Sequence, residues 1–238
     1  TNSEQAVMAV SRRSRADILG GMEPSDVDLL RAWRSGDRTA GQTLFARHVT
    51  AVVRFFRNKV GDNWEDLAQH TFLRCVEARD RLHPDSNIRA YLLTIARREL
   101  IRYHQKNART TFDPLQTSLV ALQASPSVEL DARDRDAALL YALACLPLDL
   151  QIVLELFYWE RMGVEDLATI VDVPVGTVKT RLLRARRMLR DQIQKTAMPR
   201  CNQLDDTEMD TWARSVRDRV GGCMEDRSGM LEVPVTPS

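Results

Sequence analysis

The chain contains no apolar run long enough to cross a bilayer. Its first residues, TNSEQAVMAVSRRSR, lack the apolar centre of a secretory signal, so the expectation is a cytoplasmic protein without membrane insertion. Only four cysteines occur in 238 residues. Cys75 and Cys145 fall in apolar helical patterns that predict buried thiols. Cys201 and Cys223 have neither zinc-site spacing nor a nearby histidine. The four histidines, His48, His70, His83 and His104, are scattered, and no HExxH, CxxC, GxSxG or Gly-rich phosphate loop is present. Enzymatic chemistry, a metal and a cofactor are therefore not expected. Period-two alternation of strand length is missing too, which leaves an all-α chain. Net charge is also small, +1, so any electrostatic signal must come from how the charges are distributed.

That distribution is uneven. Between Pro174 and Arg200 there are eight Lys/Arg and one acid, Asp191. Val178, Leu182, Ala185, Leu189 and Ile193 recur at steps of four, three, four and four, the period of a buried helical face. Lys179, Arg181, Arg184, Arg186, Arg187 and Arg190 fill the remaining surface. Solvated helices usually mix both signs in i,i+4 pairs, and this one does not. With the preceding VEDLATIVDVP, the segment 164–194 reads as a helix-turn-helix whose second helix suits the major groove. A second basic stretch, Arg89–Arg109, holds six Lys/Arg against Glu99. The tail after Arg200 has the opposite balance, eight acids against four Arg.

The expected organisation is residues 1–23 as a flexible N-terminus, 24–109 as one helical domain, 110–129 as an extended linker, 130–196 as a second helical domain and 197–238 as an acidic, disordered tail. Ser25 or Asp26 can cap the first helix. Further helices are predicted near 40–59, 64–79, 87–107, 130–146 and from Pro147 onward. The linker's LVAL at 119–122 could dock in a groove on another molecule. The tail, following directly on a basic helix, could compete with a polyanion for it.

Three blocks together resemble the extracytoplasmic-function (ECF) group of bacterial sigma-70-type factors. WEDLAQHTFLRC at 64–75 resembles the family's polymerase-binding helix. NIRAYLLTIARRELIRYHQK at 87–106 resembles its −10 element helix, with Tyr91 where Trp is usual. LPLDLQIVLELFYWERMGVEDLATIVDVPVGTVKTRLLRARRMLR at 146–190 is similar to the −35-reading domain. The resemblance implies two small helical domains with core RNA polymerase, promoter DNA and an anti-sigma factor as partners. It implies core-polymerase binding by Glu65, Asp66 and Gln69, with Arg74 one turn further on. The −10 contacts would fall to Arg89, Tyr91, Arg97, Arg98, Arg102, Tyr103 and Lys106, where Arg and Lys hold phosphates and aromatics stack bases. Some of these must face the core, Tyr91 and Tyr103 foremost. The loop 79–87 would wall a pocket for a flipped −10 base. For −35, Thr177, Lys179, Thr180, Arg181 and Arg184 lie where base edges are reached, and Arg186 and Arg187 are placed for phosphates. The alternative is a one-component helix-turn-helix regulator with an N-terminal effector or dimerisation domain.

Overall fold

The computed structural model describes residues 23–108, 111–122 and 135–195; the N-terminal segment and the acidic tail, with the expectations attached to them, lie outside the described residues. Within that range the chain forms nine α-helices: α1 (Asp26–Arg34), α2 (Arg38–Arg57), α3 (Trp64–Glu77), α4 (Ile88–Asn107), α5 (Leu119–Leu122), α6 (Arg135–Ala144), α7 (Leu148–Tyr158), α8 (Val164–Val171) and α9 (Val175–Lys195).

Local chemistry sets the helix ends. Ser25 caps α1 in a reciprocal capping box with Asp28. The Asp37 carboxylate accepts from the backbone N–H groups of Thr39 and Ala40 to start α2. Asn87 accepts from Ala90 N–H at 3.1 Å to start α4. The turn of the helix-turn-helix is made without glycine. Asp172 takes the left-handed conformation (φ 56°) that ends α8, a role its short polar side chain tolerates. Pro174 follows, and its carbonyl accepts from Thr177 and Val178 N–H as α9 begins.

The apolar stripes read from the sequence are the buried faces. In the N-terminal half, Leu29, Leu30, Trp33, Leu44, Phe45, Phe56, Phe72, Leu92 and Leu93 pack where α1, α2, α3 and α4 meet. Trp33 stacks edge-on against Phe45 at 4.9 Å, and Phe45 continues to Phe72 at 5.3 Å. In the C-terminal half α9 lies across α6, α7 and α8, and all five of its stripe residues are buried.

Two findings go beyond the sequence reading. The linker is structured over 111–122. Thr117 C=O accepts from Leu148 N–H, Pro114 C=O accepts from Asp149 N–H, and Leu119 is buried. The LVAL segment therefore docks on its own chain. The second finding is that the halves are packed together. α4 lies against both α3 and α8, so one continuous core runs through the molecule.

Candidate nucleic-acid and protein interfaces

On α3, Leu67, Ala68, Phe72 and Val76 face inward, which turns Asp66, Gln69 and Arg74 to solvent with Glu65 half-buried beside them. Asp66 and Gln69 therefore share the exposed face, with Glu65 and Arg74 at its two edges, about 180° apart around the helix. Arg74 is steadied by Glu77 at 3.9 Å and Glu99 at 3.7 Å. His70 and Leu73 are exposed on the same helix. Leu73 is a large apolar side chain 38% exposed and was missed in the sequence reading, although its place off the buried stripe was a usable signal.

Helix α4 divides the seven −10 candidates into three groups. Arg98, Arg102 and Lys106 stand at i, i+4 and i+8 as an exposed stripe, with Arg102 held to Glu99 at 2.8 Å. Tyr91 and Tyr103 lean on the core, as their positions suggested. Burial raises the Tyr91 phenol's pKa, and the Tyr103 hydroxyl accepts from Asn63 at 3.0 Å. Arg89 and Arg97 point the other way, into the C-terminal half. Arg97 grips both oxygens of Asp149, the closest contact being 2.8 Å, and Arg89 pairs with Glu160. In the loop 79–87, Arg81 and His83 are exposed and Asp85 pairs with Arg31.

On α9, Thr177, Lys179, Thr180, Arg184 and Arg187 are exposed on the face opposite the buried stripe. Leu183, 67% exposed, sits among them and was likewise missed. Arg186 is half-buried. Its Nε donates to the Tyr158 hydroxyl at 2.7 Å, and its guanidinium lies 5.5 Å from the Phe157 ring centre and 5.4 Å from that of Tyr158. Arg181 bonds Asp149 Oδ2 at 3.0 Å and is only 14% exposed.

Three carboxylates, Asp149, Glu155 and Glu160, are thus buried at the junction of the halves. Glu155 takes the buried Lys59 ammonium and the amides of Asn58 and Gln151, while Glu160 takes Arg54 and Arg89. Asn87, besides capping α4, donates to Asp166 of α8 at 3.0 Å. Among the described residues no three His, Cys, Asp or Glu are grouped to hold a metal ion, and no helix is long and apolar enough to cross a membrane. Burial pushes the Cys75 thiol up to about 12.

Residues 44–110 match the family model Sigma-70 region 2, and residues 136–189 match Sigma-70, region 4. The ECF RNA polymerase sigma factor EcfG of Rhodopseudomonas palustris is 33% identical over 130 residues, covering 54% of this chain and 70% of that one. The ECF RNA polymerase sigma-E factor of Haemophilus influenzae is 26% identical over 184 residues, 71% of this chain and 96% of its own. A solved structure of the sigma factor RpoE of Bartonella quintana, in complex with the anti-sigma factor NepR, is similar at 25% identity and TM-score 0.46, covering 66% of this chain and 97% of that one.

Proposed function

The chain belongs to the ECF group of the sigma-70 family, and from that membership we propose how it divides the work of promoter recognition. It is an RNA polymerase sigma factor, with core RNA polymerase and promoter DNA as partners. Such factors are regulatory subunits, and the one-component regulator is not favoured because residues 44–110, where it would carry an effector or dimerisation domain, match Sigma-70 region 2.

In this reading the α3 face carrying Glu65, Asp66, Gln69 and Arg74 binds core polymerase, with Leu73 as its apolar centre. Arg98, Arg102 and Lys106 of α4 receive −10 phosphates. Arg89 and Arg97 join them when the Glu160 and Asp149 carboxylates release them, and Tyr91 and Tyr103 brace the helix from the core side. On α9, Thr177, Lys179, Thr180 and Arg184 read −35 edges, Arg187 takes phosphate and Arg186 acts from its seat on Phe157 and Tyr158. Arg181 is available to DNA once it leaves Asp149. The protein works in the cytoplasm, where its polymerase is, and an anti-sigma factor that covers these same faces completes the set of partners.

The observation that carries this reading is the one-sided α9, cationic and exposed opposite a fully buried stripe, in a chain that matches regions 2 and 4 in order. Addition of the chain to core polymerase should produce transcripts from genomic fragments that core alone does not transcribe. Changing both Asp66 and Gln69 to Ala should weaken co-purification with core while helical content is unchanged. Normal core binding by the double variant would sink the α3 assignment.

A further inference from the structure

The exposed face of α9 is not uniformly cationic. Gly176, Thr180, Leu183 and Arg187 follow one another at steps of four, three and four, so they form one line along the helix, opposite its buried stripe. The first three are uncharged. Lys179 and Arg184 flank them, one on each side, and are exposed with them. A helix that only holds a polyanion gains most by turning its cations straight outward, yet the outermost line in the N-terminal half of α9 carries none.

Leu183 is the sharpest departure. Among the described residues the large exposed hydrophobics are Leu73 at 38%, Leu115 at 39% and Leu183 at 67%. A lone exposed leucine is ordinary on a surface, but this one stands among cations, and an apolar protein surface that met it would have to bury them as well. Thr180 offers little more hydrogen bonding. Its Oγ1 donates to Gly176 C=O at 3.0 Å, which spends the hydroxyl's one proton on the helix itself. At Gly176 an added Cβ would meet nothing within 4 Å, so α9 would hold alanine there at least as well. The chain itself has no use for a bare backbone at that point, whereas a partner that comes close does.

The major groove matches this arrangement. It is about 12 Å wide, about the diameter of a helix, so a helix seated in it turns its outermost line to the base edges and its flanks to the phosphate walls. Leucine has no hydrogen-bonding atom. Pressed against the donors and acceptors of a base edge, it would strip their water and return nothing. One favourable partner remains on the groove floor, the C5 methyl of thymine.

We propose that Leu183 is a specificity-determining residue that packs on a thymine methyl in the −35 element, and that Gly176 sets the depth at which α9 sits to reach it. The proposal deepens the promoter-recognition reading above and rests on it.

Holoenzyme formed from this chain and core polymerase is used to select duplexes from a random-sequence library, whose shared upstream motif defines the −35 element. Each thymine of that element, on either strand, is then replaced in turn by deoxyuridine, which removes the C5 methyl and nothing else. The wild-type holoenzyme should bind at least threefold more weakly when one particular thymine is replaced, about what one buried methyl group contributes. Leu183→Ala should bind the thymine and deoxyuridine duplexes equally, and Leu183→Met should keep the discrimination. Gly176→Ala should leave thermal stability unchanged or higher, yet weaken both duplexes and narrow the difference between them. Failure to select any element overturns the promoter reading, and this proposal with it. A selected element that holds no thymine, or whose every thymine tolerates deoxyuridine, overturns the proposal alone. So does a thymine preference that Leu183→Ala leaves intact, because another residue then reads the methyl. Loss of core binding by Leu183→Ala would place the side chain on polymerase and overturns it as well. Gly176→Ala binding both duplexes as tightly as wild type removes Gly176 from the seat.

Discussion

His104 lies where the N-terminal half meets the linker, its ring 5.2 Å from Tyr103 and 5.6 Å from Phe112. Burial, reinforced by the nearby Lys59 ammonium, lowers its pKa from 6.5 to about 4. The folded state therefore prefers the neutral ring. Its contribution to stability is fully present above pH 6.5 and is lost as pH falls from there through about 4. Between pH 7 and pH 5 this group alone should cost roughly 1–2 kcal/mol of unfolding free energy. His104→Gln should flatten that part of the pH dependence in urea titrations, and a slope identical to wild type would show that the ring does not titrate as its surroundings demand. His48 adds to the same trend: burial lowers its pKa although Asp26 Oδ2 lies 2.7 Å away. At this scale sequence reading met its sharpest limit. Arg97 and Arg98 are neighbours of identical chemistry, yet one is tied to Asp149 and the other faces solvent. Only the partner helix decides which, and no spacing within α4 encodes that partner.

The helices themselves were legible because their apolar period is a property of the segment alone. All five stripe residues of α9 are buried, and Asn87 caps α4 where a start was expected. The linker was less legible. Its low charge and two prolines read as extended chain, while the structure gives 111–122 its own turn, hydrogen-bonded to the start of α7, and a short helix that begins at the buried Leu119. Gly41 shows how an element can depend on a neighbour. It sits inside α2, where glycine ordinarily costs about 1 kcal/mol relative to alanine. An added Cβ would meet Trp33 Cδ1 at 2.4 Å, and Trp33 is only 1% exposed and cannot step aside. Gly41→Ala should therefore destabilise the protein by about 1–3 kcal/mol despite its better helix propensity. Denaturant unfolding that finds the variant equal or more stable would mean that α1 shifts to make room.

For the whole molecule, the packing of the two halves was the least legible feature, because buried charged residues join the apolar core there. Asp149, Glu155, Glu160, Arg54 and Lys59 all read as surface in a sequence, and only their mutual neutralisation allows them inside. This separates two electrostatic behaviours that salt can distinguish. The buried pairs are shielded from ions, whereas Lys179, Arg184 and Arg187 on α9 are exposed to them. If each of those three cations, whether it reads a base edge or holds a phosphate, displaces one counterion from the duplex, affinity for −35 duplex should fall with a log–log salt slope of about −2.7. Between 0.1 M and 0.3 M salt that is a loss of roughly 20-fold. Arg187→Ala should reduce the slope by about one while weakening all duplexes alike, whereas Arg184→Ala should also relax preference at one base position. Over the same salt range the scattering size of the free chain should not change, because its closing contacts lie out of reach of the ions. Fluorescence titrations and scattering on one set of samples give both readings. Expansion in step with the loss of DNA affinity would mean that the halves are held by the exposed charges and not by the buried ones.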